Sequence, residues 1–323
     1  MQVGEQQIVV LGTGGTIAGK AAQPGDNIGY RAGQVGVEQL LEAVPGLAGA
    51  ARGPIVAEQV AQIDSKDMDF AVWRTLALRC QAHLEDPQVR GIVITHGTDT
   101  VEETAWFLHC VLAASAAHKP VVLTCAMRPA TALTPDGPQN LLDAVALAAT
   151  PGVQGVFVVA AGAVHGARHV QKVHSYRVDA FSSGDAGPLG WMEEGAVRWA
   201  WEMPLEPTGS AQAAMEKIVN GAPWPRVDIV LNHAGADGVV VDALVASGTQ
   251  GIVVAATGNG TMHHALQAAL ERAQAAGVQV RVATRCLLGQ VLPKPGDPFP
   301  DTRGLGPVKA RVALLLELLA AQK

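Results

Sequence analysis

Ile8-Val9-Val10-Leu11-Gly12-Thr13-Gly14-Gly15-Thr16-Ile17-Ala18-Gly19 is the stretch that decides the fold. A short apolar run passes directly into glycines and threonines. That pattern reads as a buried strand whose carboxyl end opens into a site. The chain repeats it at Gly91-Ile92-Val93-Ile94-Thr95-His96-Gly97-Thr98-Asp99-Thr100. Two such ends would set Thr16 and Thr98 on the same rim of one sheet. Two threonines, an aspartate and many loop N–H groups suit acyl transfer better than redox or nucleotide chemistry.

Further apolar runs lie at Val121–Thr124, Val156–Val159, Ile229–Leu231, Ile252–Ala255 and Val278–Val282. They are continuous rather than alternating, as expected of strands covered on both faces. Helical spacing appears between them at Val37–Val44, Asn140–Ala149, Met262–Ala276 and Val308–Ala321. Ser65 is placed to cap a helix running to about Leu84. Thr100-Val101-Glu102-Glu103 fits a capping box opening a helix through about Ala114. The alternation predicts an α/β protein with a mainly parallel sheet and helices on both faces. Residues 202–226 break the rhythm, with proline and glycine bracketing a short alanine-rich segment. The expected division is an N-terminal α/β domain at 1–201, a linker at 202–226 and a smaller α/β domain at 227–323.

The 323 residues can bury a large core, and 49% of them are hydrophobic. No apolar run reaches the roughly 18 residues of a membrane span. Met1-Gln2-Val3-Gly4-Glu5 has no basic or apolar leader character, so a cytoplasmic location is expected if this is the native start, and a periplasmic one if a leader has been trimmed. Net charge is −6 with scattered lysine and arginine, which gives no nucleic-acid footprint. Cys80, Cys110, Cys125 and Cys286 form no C-x-x-C pair and are expected to be reduced thiols. His165, His169 and His174 cluster and His263-His264 are adjacent. None has zincin spacing, and there is no G-x-S-x-G elbow, so no metal and no cofactor is expected.

Gly14 to Lys20 nearly satisfies the phosphate-loop pattern, but Ala21 stands where a hydroxyl should bind Mg²⁺. A glycine turn serving only strand-to-helix geometry would not need its threonines. A threonine hydroxyl needs a base or proton-accepting network beside it, and donors for the oxyanion. Asp99 is adjacent to Thr98, and a desolvated lysine could also serve. Lys172, by itself, reads as a surface lysine.

Thr13–Gly19 and Ile94–Thr104 together resemble the two signature blocks of bacterial-type L-asparaginases, including the glutaminase-asparaginases. The resemblance continues through Val35–Leu40, Ala126–Pro129, Asp136–Leu141, Gly187–Gly190 and Gly258-Asn259-Gly260, in order over nearly the whole chain. It implies hydrolysis of L-asparagine to L-aspartate and ammonia through a threonine acyl-enzyme. Thr16 matches the principal nucleophile, and Tyr30 matches a residue of the lid above it. Thr98, Asp99 and Lys172 match a second catalytic triad. Asp99 also matches the partner of the substrate α-amino group, and Ser65 a ligand of its α-carboxylate. Asn259 matches a C-terminal-domain residue near the site. Gly15, Gly97 and Lys66 complete the candidate substrate-binding set. The family assembly implied is a homotetramer of intimate dimers, with sites completed across an interface.

Two departures stand out. Lys66 follows Ser65 where many relatives carry glutamine, and a cation there predicts altered affinity or a changed pH optimum. Gly289–Asp297 holds no glutamate where many relatives supply an acidic residue to the partner subunit, so Asp297 is the acidic residue available. The competing readings are a glutaminase-asparaginase of comparable rates, a non-catalytic amino-acid sensor on the same fold, and a nucleotide-binding protein using the incomplete phosphate loop.

Overall fold

The computed structural model describes residues 6–23, 25–113, 115–201 and 211–322. They form two compact units, divided after Ala211. The first contains β1 (Gln7–Gly14), β2 (Lys20–Ala21), β3 (Tyr30–Arg31), α1 (Val37–Glu42), α2 (Leu47–Ala51), β4 (Ile55–Ile63) and α3 (Phe70–Glu85). It continues with β5 (Val89–Thr95), α4 (Val101–Val111), β6 (Pro120–Thr124), α5 (Gly137–Ala148) and β7 (Gly155–Ala160). It ends with β8 (Ala163–Gly166), β9 (Gln171–Lys172), β10 (Phe181–Ser182), β11 (Gly190–Glu193) and β12 (Ala196–Trp199).

Eight of these strands make one sheet in the order β12-β11-β8-β7-β6-β5-β1-β4. From β4 to β7 every pairing is parallel; from β7 to β12 every pairing is antiparallel. The parallel part follows from the continuous apolar runs. Ile8, Val9, Val10 and Leu11 are completely buried, as are Ile92, Val93 and Ile94. Such strands need helices on both faces. Residues of α1, α2 and α5 share one core cluster with Ile8, Val10, Val93, Val122 and Phe157. α3 and α4 pack against each other through the stacked rings of Trp73 and Phe107, 4.7 Å apart.

β4 is a strand that the apolar-run reading passes over. Its sequence, Ile-Val-Ala-Glu-Gln-Val-Ala-Gln-Ile, is broken by polar residues because it is the sheet edge and is nowhere fully buried. Its polar side chains hold neighbours in place. Gln59 Nε2 donates to the Gly12 carbonyl while Gln59 Oε1 accepts the Val37 N–H. Glu58 takes Arg79 and His83 from α3, and the Arg79 guanidinium holds the Glu58 carboxyl below its ordinary range.

Two expected helix starts are corrected. Ser65 opens only a three-residue 3-10 turn, and α3 is capped instead by Asp69, whose carboxylate accepts the Val72 N–H at 2.9 Å. Thr100 occupies the N-cap of α4, but its side chain makes no capping bond there. Its hydroxyl donates to the Ser65 carbonyl at 2.8 Å.

The second unit holds α6 (Ala211–Val219), β13 (Val227–Leu231), α7 (Val239–Ala246), β14 (Gly251–Ala256), α8 (His264–Ala275), β15 (Gln279–Thr284) and α9 (Pro307–Ala320). Its three strands are parallel, in the order β13-β14-β15. Of the linker expected at 202–226, residues 202–210 lie outside the described residues. The remainder includes α6, an ordered helix that buries Ala214, Met215 and Ile218. No helix among the described residues is long and apolar enough to cross a membrane.

Candidate active site

The three adjacent parallel strands β5, β1 and β4 deliver three candidate residues at their carboxyl ends. β1 ends before Thr16, β5 before Thr98 and β4 before Ser65. Ligands of open α/β sheets bind outside such strand ends. The loops are tied together beneath the site. Thr13 Oγ1 donates to the Thr95 carbonyl at 2.8 Å, and the Gly15 N–H donates to Ile63 O at 2.8 Å.

Gly15 and Gly97 set the spacing. Gly15 has φ +81°, and a β-carbon there would stand 2.4 Å from both the Cα and the N of Gly97. A β-carbon on Gly97 would lie 2.4 Å from Ser65 Oγ. Glycine at 15 lets the two backbones touch, and glycine at 97 leaves room for the Ser65 side chain. Thr16 and Thr98 each follow one of these glycines, so the contact brings the two loops into one constellation. The glycine turn after β1 leads into a 3-10 turn and the short ribbon β2–β3. It therefore does not open the helix that a phosphate loop requires.

Thr16 is buried, and its Oγ1 is 2.7 Å from the Tyr30 hydroxyl. Tyr30 is brought there by the β2–β3 ribbon, in which it pairs with Ala21. The ribbon is fastened to the loop after β6, with the Ala21 N–H on Thr131 Oγ1 and the Ala130 N–H on the Gly19 carbonyl.

Thr98 has a different partner. Lys172 Nζ donates to Thr98 Oγ1 at 2.8 Å and to Asp99 Oδ1 at 2.5 Å. The lysine comes from β9, 74 residues away in the chain. The resemblance's triad is thus assembled, although local sequence made Lys172 a surface residue. Ser65 is buried, and its Oγ accepts the Asp99 N–H at 3.2 Å. That bond occupies an acceptor site and leaves the hydroxyl proton for a ligand.

Lys66 pairs with its acidic neighbours in the chain. Its ammonium sits on Asp64 at 2.8 Å and Asp67 at 3.5 Å, and its side chain is 61% exposed. The bond to Asp64 holds its pKa above the ordinary lysine value. Asn259 lies exposed in the second unit. There its side chain exchanges hydrogen bonds with the backbone N–H and C=O of Leu292.

His96, Thr104 and Trp73 form a buried network that sequence reasoning does not single out. His96 Nδ1 is 2.8 Å from the Gly97 carbonyl, and His96 Nε2 is 2.9 Å from Thr104 Oγ1. The Trp73 indole N–H donates to Thr104 Oγ1 at 2.9 Å. A carbonyl can only accept, so Nδ1 carries the proton and Nε2 accepts from Thr104. Burial pulls the His96 pKa down from 6.5 to about 4, keeping the ring neutral.

Asp136 and Asn140, in another of the matching blocks, have structural partners. Asp136 accepts the N–H groups of Met127 and Arg128, while Asn140 bridges Cys125 O and the Ala161 N–H. Several histidines also have ordinary partners. His165 bonds Ser183 Oγ, and His174 and His263 accept backbone N–H groups. Among the described residues, no group of three His, Cys, Asp or Glu side chains is arranged to hold a metal. Cys80, Cys110 and Cys125 are buried, and Cys286 is exposed.

Comparison with known proteins extends this picture. Residues 7–205 match the family model described as asparaginase, N-terminal, and residues 226–323 match the glutaminase/asparaginase C-terminal domain. The chain is 38% identical over 320 residues to L-asparaginase 2 of Escherichia coli, covering 96% of this chain and 88% of that one. It is 33% identical over 323 residues to a glutaminase-asparaginase of Pseudomonas fluorescens, covering 98% and 87% respectively. The crystal structure of a probable cytoplasmic L-asparaginase from Campylobacter jejuni superposes with a TM-score of 0.88. It shares 38% identity, covering 97% of this chain and 95% of that one.

Proposed function

The chain belongs to the asparaginase family, an amidohydrolase converting L-asparagine to L-aspartate and ammonia, and we propose that Thr16 is its nucleophile. The observation that carries this reading is the pairing of each threonine with its own proton partner on two loops in backbone contact. The Thr16 oxygen adds to the side-chain amide carbon, and its proton passes by way of Tyr30 to the departing nitrogen. Ammonia leaves an aspartyl ester on Thr16. Water then adds to that ester, releasing aspartate and restoring the hydroxyl.

Thr98 serves the second half-reaction. Lys172 Nζ donates to Thr98 Oγ1 and fixes that hydroxyl beside the ester, where it orients the attacking water. As the water oxygen bonds to the ester carbon and the bond to Thr16 breaks, the water's proton passes to the Thr16 oxygen. Asp99 faces the substrate α-ammonium, and the Ser65 hydroxyl donates to the α-carboxylate. The Gly15 N–H is already committed to Ile63, so that glycine contributes backbone conformation.

Comparable activity on L-glutamine is the second reading, favoured by the similarity to the Pseudomonas fluorescens enzyme. A homotetramer and a cytoplasmic location complete the proposal. Exposed Val239, Val240, Leu287, Leu288 and Leu292 in the second unit support self-association, and the Campylobacter jejuni relative supports the location. Light scattering and cell fractionation test these two parts.

The test of the chemistry is ammonia release from L-asparagine and L-glutamine, side by side, for wild type, Thr16→Ala and Thr98→Ala. Loss of release in both variants supports the assignment. Wild-type rates in Thr16→Ala refute it.

A further inference from the structure

The residue pattern Thr100-Val101-Glu102-Glu103 predicts a capping box that the structure does not use in that way, because Thr100 turns to Ser65. Glu102, in the first turn of α4, has a more specific contact. Its Oε2 accepts the backbone N–H of Lys172 at 3.0 Å, across 70 residues of chain. We infer that Glu102 is the positioning residue of the second catalytic group: its carboxylate fastens the lysine-bearing strand to the helix whose amino end presents Thr98 and Asp99. The inference rests on the proposed role of the Thr98–Asp99–Lys172 group.

Three features make this contact consequential. β9 is only two residues long and pairs with an equally short β10, in the register Phe181↔Lys172 and Ser182↔Gln171. Such a ribbon has little hydrogen bonding of its own to fix its position. α4, by contrast, is buried along most of its length and begins directly after the Thr98–Asp99 loop. A bond from its first turn to the Lys172 backbone therefore ties the lysine's strand to the element that follows directly on Thr98 and Asp99. The bond is also charge-assisted and relatively strong, and a carboxylate in a first turn is favoured by the helix dipole. Because it uses the lysine main chain, the side chain stays available for Thr98 Oγ1 and Asp99 Oδ1.

The test compares kcat and KM for asparagine in the full-length wild type, Glu102→Ala, Glu102→Gln and Lys172→Met, each checked for a native circular dichroism spectrum. A glutamine carbonyl can still accept the Lys172 N–H; an alanine cannot. Glu102→Ala is expected to lower kcat about 10- to 100-fold, the range that small misplacements of a catalytic group produce, with KM within about threefold. Glu102→Gln is expected to recover most of that loss, which a purely structural or purely charge-based role would not give. Equal impairment of the two Glu102 variants overturns the hydrogen-bond assignment. So does a wild-type kcat in Glu102→Ala alongside an inactive Lys172→Met. A wild-type kcat in Lys172→Met instead removes the proposed role of the triad, and the inference with it.

Discussion

His96 gives the structure a pH-dependent stability whose size can be worked out. The ring is wholly buried and is held neutral between the Gly97 carbonyl and Thr104. Its pKa falls from 6.5 to about 4 on folding because burial disfavours the imidazolium. Above pH 6.5 both folded and unfolded chains hold it neutral, and it adds no pH dependence. Between pH 6.5 and about 4 the unfolded chain binds the proton and the folded one does not, so stability falls as pH falls. The gap corresponds to about 3 kcal/mol in all, and to about 2 kcal/mol at pH 5. Urea unfolding followed by tryptophan fluorescence, for wild type and His96→Gln at pH 7.5 and pH 5, isolates this contribution. At pH 7.5 the variant should be less stable by about 1–3 kcal/mol, the cost of breaking a buried hydrogen-bond network. At pH 5 that difference should shrink by about 2 kcal/mol, because only the wild type carries the titrating ring. A difference unchanged between the two pH values would refute the buried, neutral assignment.

Three more outcomes are expected. Tyr30→Phe removes the 2.7 Å partner of Thr16 and should lower kcat by about 10²- to 10⁴-fold in steady-state assays while the fold is retained. Gly15→Ala forces a β-carbon against the Gly97 backbone at a φ of +81°, and should lower both asparagine turnover and melting temperature. A variant as active and as stable as wild type would contradict the packing. Lys66→Gln should leave kcat/KM for asparagine within about threefold, because the ammonium it removes is exposed and engaged by Asp64 and Asp67.

Particular elements show what could be read from the chain alone. β1 and β5 are legible because both faces of each are covered, which forces an unbroken apolar run before each glycine-threonine loop. β4 is not, because an edge strand carries polar residues that serve neighbouring backbone. The ribbons β2–β3 and β9–β10 are two-residue strands fixed by tertiary contacts, so neither Tyr30 nor Lys172 has a local signal. Both are marked only by family resemblance, and the structure places each against a threonine of the site. Thr100 carries a helix-start signal that is locally sound, but its hydroxyl goes to the tertiary partner Ser65 instead. Glu102, beside it in the first turn, carries no signal for its contact with the Lys172 backbone, which lies 70 residues away.

The most direct test of the central claim is to locate the acyl group. Wild type and Thr98→Ala would be acid-quenched during turnover of saturating L-asparagine, digested and mapped by mass spectrometry. The account predicts an aspartyl ester on the peptide containing Thr16, accumulating further in Thr98→Ala as the water step slows. An ester on the peptide containing Thr98 in the wild type would contradict it.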